Sequence, residues 1–66
     1  MSIVKVIELM ADSTESWEDA TKKAIAKAAE TLSNIKSAWV QDQSVTVKNG
    51  KVEEFRVSLK VTFEVR

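Results

Sequence analysis

The sequence predicts an α+β domain of β-α-β-β order, a three-stranded antiparallel sheet with one helix laid across one face. Three observations carry this. The last quarter, Val52 to Val65, alternates strictly between apolar and polar residues; a single stretch near the start has apolar residues at helical spacing; and one Asn-Gly pair separates the last two apolar segments.

The first strand is expected over Ser2 to Met10, where Ile3, Val4, Val6, Ile7 and Leu9 are interrupted only by Lys5 and Glu8. Apolar residues occur on both of its faces, which points to cover from a second subunit or to an ordinary strand with exposed valine. Asp12-Ser13-Thr14-Glu15-Ser16 then forms a polar entry in which Ser16 can cap a helix, with Asp19 three positions later in capping-box spacing. The helix is predicted to run to Leu32 or Ser33. Its stripe is Trp17, Ala20, Ala24, Ala28 and Leu32, widened by Ile25 and Ala29, and the alanines let its axis approach the sheet closely. Glu18 with Lys22 and Asp19 with Lys23 are spaced for ion pairs on the solvent side. Trp17 reads as a core anchor at the first turn.

Lys36 to Val47 is rich in β-branched and aromatic residues and makes the second strand. Asn49-Gly50 requires positive φ at both positions and predicts a tight hairpin into the third strand, whose Phe55, Val57, Leu59, Val61, Phe63 and Val65 face the helix. A crossover from the first strand to the second, with the third inserted between them, places the longest strand at the centre. At roughly 3.3 Å per residue that strand approaches 50 Å, longer than so small a domain can cover, so part of it is expected to meet another chain.

Sixty-six residues make one domain, residues 1–66, close to the size at which a single core is marginal. With no Cys and no His, neither a disulfide nor a thiolate or imidazole metal site can add stability, which leaves self-association. Ten basic and ten acidic residues cancel, so phosphate neutralisation as a source of nucleic-acid affinity is not expected. No signal-peptide pattern and no membrane-length apolar run occurs, and the expected location is the cytoplasm. A catalytic role is not expected either: without His or Cys a nucleophile would need Ser or Thr beside Lys or a carboxylate, and no such grouping is marked out. Asp12, Glu15, Glu18 and Asp19 gather at the helix start, where they favour its dipole.

Counting outward from an Asn49-Gly50 turn sets Gln43 opposite Arg56, Gln41 opposite Ser58, Trp39 opposite Lys60 and Ser37 opposite Thr62, all on the face away from the helix. Trp39 is then an indole on a polar face. Three accounts of it stand open: it packs against a symmetry mate; it is a stacking platform for a planar heterocycle, with Gln41, Gln43 and Arg56 bonding the edge; or a bulge turns it toward the helix.

Several segments together resemble the dodecins: Val4-Lys5-Val6-Ile7-Glu8, the helix entry Asp12 to Ala20, Asp42-Gln43, and Phe55-Arg56-Val57 running to Lys60-Val61-Thr62-Phe63. The resemblance covers essentially the whole chain. It implies a hollow assembly of twelve identical subunits that stores or sequesters a flavin such as riboflavin, FMN or FAD, with flavin rings stacked between Trp residues of neighbouring subunits and a third-strand Gln bonding the ring edge. In ungapped register the family Trp falls at Ser37 and the Gln at Arg56, while Trp39 stands about 6–7 Å further along the same face. This pattern is similar to the branch without the stacking Trp, for which a calcium site is the implied alternative. The candidate ligand-binding residues are therefore Trp39, Gln41, Gln43, Arg56 and Ser37.

Overall fold

The computed structural model describes residues 3–65; the proposed first residue of strand one, Ser2, lies outside them. The elements follow the expected order: β1 (Ile3–Ser13), α1 (Trp17–Ala28), β2 (Ile35–Lys48) and β3 (Lys51–Val65). The sheet order is β1-β3-β2, and both outer strands run antiparallel to β3. The longest strand is thus central.

The core lies where α1 meets β3. Val57, Leu59 and Val61 are fully buried, Ala20 and Ala24 press down on them, and Ala28 is buried one turn further along the helix. Small side chains on the helix are what allow this: a methyl group every turn brings the helix backbone close enough to cover β-branched and leucine side chains from the sheet. Burying each of the three sheet residues contributes about 1.5–3 kcal/mol. Ile7, Leu9, Ala11, Ile25 and Ile35 border this cluster.

Trp17 closes the end of the core nearest the hairpin. Its ring meets Phe55 edge-on at 5.2 Å between centroids, and its indole N–H donates to the Ser44 carbonyl at 2.9 Å. The expected anchor role is therefore realised, with a hydrogen bond that ties α1 to β2.

Two boundaries differ from expectation. β1 continues past Met10 through Ser13, pairing Ala11, Asp12 and Ser13 with Val57, Arg56 and Phe55. Polar residues extend the ladder because each finds a partner. Asp12 takes a two-pronged bond from Arg56, with Nε at 2.7 Å and Nη2 at 3.2 Å, and the buried Ser13 hydroxyl donates to Asp19 at 2.6 Å. At its other end, α1 stops at Ala28 rather than Leu32. The backbone N–H groups of Glu30 and Thr31 donate three residues back, tightening the chain into a turn, and Asn34 takes a positive φ of 63° before β2 begins.

The cap itself forms as read: the Asp19 N–H donates to the Ser16 hydroxyl at 2.9 Å. Of the two spaced ion pairs, Asp19 with Lys23 forms at 2.8 Å, and none forms between Glu18 and Lys22 among the described residues. The Lys23 ammonium and the Ser13 hydroxyl bonding it hold the Asp19 carboxyl below its usual range, as the Arg56 guanidinium does for Asp12.

Asn49 and Gly50 turn with φ of 54° and 75°, as a tight hairpin requires. Beyond that turn β2 and β3 run side by side past the helix, whose contacts fall mainly on β1 and β3, with Trp17 reaching β2. The molecule is consequently elongated, 50 by 20 by 13 Å.

Leu59→Ala is expected to lose about 2–5 kcal/mol of stability, read as a lower urea midpoint at unchanged slope, because the site is walled by backbone-close alanines and cannot collapse. Depressed carboxyl values at Asp12 and Asp19 stabilise the fold above the ordinary carboxylate value near 4, and that contribution is lost as pH falls through the lowered folded value. Asp12→Asn should therefore flatten the acid limb of a stability–pH profile between about pH 5 and pH 2; an unchanged limb would show that the Arg56 pair does not stabilise the fold.

Candidate functional site

The sheet face turned away from α1 is the surface on which the sequence gathers its candidate residues. Reading across the strands, Asp12, Arg56 and Ser44 form one row, Met10, Ser58 and Asp42 the next, then Glu8, Lys60 and Trp39, then Val6, Thr62 and Ser37. Side chains directly opposite in an antiparallel pair share a face, which fixes these rows from the register alone.

Trp39 stands where the count placed it, opposite Lys60, and 47% of it is exposed. The account in which a bulge turns it inward is excluded. Lys60 holds its ammonium 5.9 Å from the centre of the indole and 3.8 Å from Glu8 Oε1, so one face of the ring already has a cation over it. Ser37 also keeps its expected partner, with 2.6 Å between its hydroxyl and that of Thr62.

Gln41 and Gln43 do not. Three register shifts interrupt the hairpin, one of them at its far end, where Ile35 pairs with Phe63 and Ser37 with Thr62; nearer the turn, Thr46 pairs with Glu54 while Val47 pairs with Val52, so Glu53 is an extra residue on β3, and Val40 pairs with Leu59 while Asp42 pairs with Ser58, so Gln41 is an extra residue on β2. Of these two inner shifts, the one at Gln41 cancels the one at Glu53. Between them every facing differs from a simple count: Ser44, not Gln43, lies opposite Arg56, and Asp42, not Gln41, lies opposite Ser58. Gln43 lies opposite the buried Val57 and so belongs to the helix face, away from Trp39. A count of alternation has no means of registering either bulge, because no Gly or Pro marks them.

Arg56 is on the expected face, but both prongs of its guanidinium are taken by Asp12. Its place on β3 is four residues from Lys60, about 13 Å along the strand from the level of Trp39. The polar edge required for a flavin ring, with Gln41, Gln43 and Arg56 converging on one indole, is therefore not assembled within a single chain. What remains for such a ligand is the exposed Trp39, the bulged Gln41 and the hydroxyls of Ser37 and Thr62.

A cation meets a similar limit. Calcium takes six to eight oxygen ligands, and among the described residues no three carboxylates approach one another. Asp42, which sequence reasoning did not single out, is placed on the outer face by the bulge and makes no ion pair within the described residues. With Glu54, opposite Thr46, it is a carboxylate on this face available to a ligand or to a neighbouring chain.

A family model described as Dodecin matches residues 3–66. A calcium dodecin from Mycobacterium tuberculosis (strain ATCC 25618 / H37Rv) is 33% identical over 66 residues, spanning 100% of this chain and 93% of that protein. Among solved structures, a dodecin from Thermus thermophilus superposes with a TM-score of 0.93 at 30% identity, covering 100% of this chain and 98% of that one. The calcium-chelating antigen calcium dodecin of Mycobacterium tuberculosis, described with a novel calcium-binding site, gives a TM-score of 0.87 at 35% identity over 98% of this chain and 93% of that one. Whole-length agreement in sequence and in strand, helix and hairpin placement shows that this chain belongs to the dodecin family.

Proposed function

We propose that the protein is a homododecameric sequestration protein with no reaction of its own. The observation that carries this is the outer sheet face: Val4 and Val6 are each 49% exposed, Met10 66% and Trp39 47%, on a chain too small to leave such residues in water without cost. The polar groups between them are largely neutralised by one another, Arg56 by Asp12 and Lys60 by Glu8, which leaves the apolar side chains free to meet a second sheet. Such a face is self-complementary across a two-fold axis.

The ligand reading that the relatives favour is a divalent cation such as calcium. It is supported by whole-length similarity, in sequence and in structure, to the calcium dodecin of Mycobacterium tuberculosis. Since no three carboxylates converge among the described residues of one chain, the oxygens for such an ion come from more than one subunit, and Asp42 is a residue of this chain placed to contribute.

A second reading, a flavin, is favoured by one specific observation, the half-exposed indole of Trp39 on the face shared between subunits. Stacking there requires Lys60 to move aside, and the edge contacts come from Gln41 and the Ser37 and Thr62 hydroxyls rather than from Gln43 or Arg56.

Light scattering after size exclusion should give a mass near twelve times 7.4 kDa; a monomer would overturn the assembly reading. Calcium titrated calorimetrically into chelator-stripped protein should show saturable heat that Asp42→Asn weakens about tenfold or more. In parallel, riboflavin or FMN emission should be quenched on adding protein if the flavin reading holds, and Trp39→Ala should relieve the quenching. Unchanged emission at micromolar protein would remove that reading, and the absence of calcium heat would remove the other.

A further inference from the structure

Two apolar surfaces on the helix side of the molecule are left open by the chain's own fold. One is the end of the β2–β3 arm. The extra residue Glu53 reverses the facing of β3 just before the turn, so that Val52 and its partner Val47 join Val45 on the helix face beyond the reach of α1. Val47 is 64% and Val52 53% exposed. A regular strand would have put Val52 on the other face; the bulge aims the pair.

The other surface is a groove of 460 Å³ between α1 and the free edge of β1, lined by Ile7, Leu9, Ala24, Ala28, Thr31 and Leu32 and rimmed by Lys23 and Lys27. It holds the space of about fifteen waters at roughly 30 Å³ each, yet its wall offers them few polar partners. Filling it with apolar side chains is favourable for the same reason that burying the core is. The chain cannot fill its own groove. Val52 lies seven residues from Leu59, the level of the groove, about 23 Å along β3.

We propose that the arm of one copy seats Val47 and Val52 in the α1–β1 groove of a second copy. The charges agree with this occupant: Glu53 makes no ion pair within the described residues and follows Val52 directly, while the groove rim carries Lys23 and Lys27, which pair with Asp19 and Glu30 on the helix side yet keep most of their side chains exposed; the tip lysines Lys48 and Lys51 stand on the opposite face. Donor and acceptor surfaces differ, so the contact is head-to-tail and repeats around a ring, whereas the outer sheet face pairs about a two-fold axis. Two contacts of different symmetry are what a closed shell needs. The inference rests on the self-association proposed above and names a second surface for it.

The chain contains no cysteine, which makes a cross-linking test clean. Protein carrying Val52→Cys alone is mixed with protein carrying Thr31→Cys alone, exchanged through mild denaturant and oxidised. A disulfide-linked dimer joining one variant to the other is expected, well above the level of dimers formed by either variant alone. Val47→Asp with Val52→Asp should raise the dissociation constant of the assembly tenfold or more, and Glu53→Lys should weaken it in a way that Lys27→Glu reverses. An assembly of wild-type mass that resists the aspartates and gives no mixed cross-link would overturn this contact while leaving self-association standing. A wild-type monomer would overturn self-association itself.

Discussion

The whole structure depends on how closely α1 can approach β3. Ala20, Ala24 and Ala28 remove everything beyond Cβ from one side of the helix, and Val57, Leu59 and Val61 fill the space opened at Ala20 and Ala24. That narrow contact serves as the core. It is also lopsided: the helix lies over β1 and β3 and leaves most of β2 uncovered, so Val40 and Val45 on the helix face remain 40% and 38% exposed. A domain of ordinary size would add a second helix there. Here those valines stay open, and with the ones on the outer face they make association a source of stability.

The elements of this fold are legible in the sequence because each is announced by a local rule. The alternation of Phe55 to Val65 needs a half-buried strand, the stripe from Trp17 to Ala28 needs a helix, and Asn49-Gly50 needs positive φ. Boundaries were harder to read where side-chain partners came from distant residues. Asp12 and Ser13 look like a loop until Arg56 and Asp19 are seen beside them, and the bond of 2.7 Å that keeps Asp12 in the ladder spans 44 positions of sequence.

The candidate site was legible only in part, for a related reason. Trp39, Ser37 and Arg56 fall on the expected face; Gln43 does not, and Asp42 takes a place on that face that alternation assigns to Gln41. Facing is a cumulative property: an unmarked extra residue changes the parity of everything beyond it until another restores it. Arg56 illustrates a second limit. Its type suits a ligand carboxylate or phosphate, but the bond from Asp12 shows that its charge is already engaged.

The bulges at Glu53 and Gln41 behave as a pair of compensating frameshifts written in three dimensions. Outside them, as far as Ser37, residues keep the partners that simple counting assigns; inside, Asp42 to Thr46 are read in the opposite frame relative to β3. Neither can be lost alone. Pairing Glu53 into the ladder while Gln41 stayed bulged would carry the error past Gln41 and onto Trp39 and Ser37, whereas pairing both in would turn only the inner segment over. The hairpin therefore holds a short cassette whose orientation is independent of the strands on either side, and through which a dodecin could exchange the chemistry of its outer face while Trp39, Lys60 and the buried leucine and valines stay where they are.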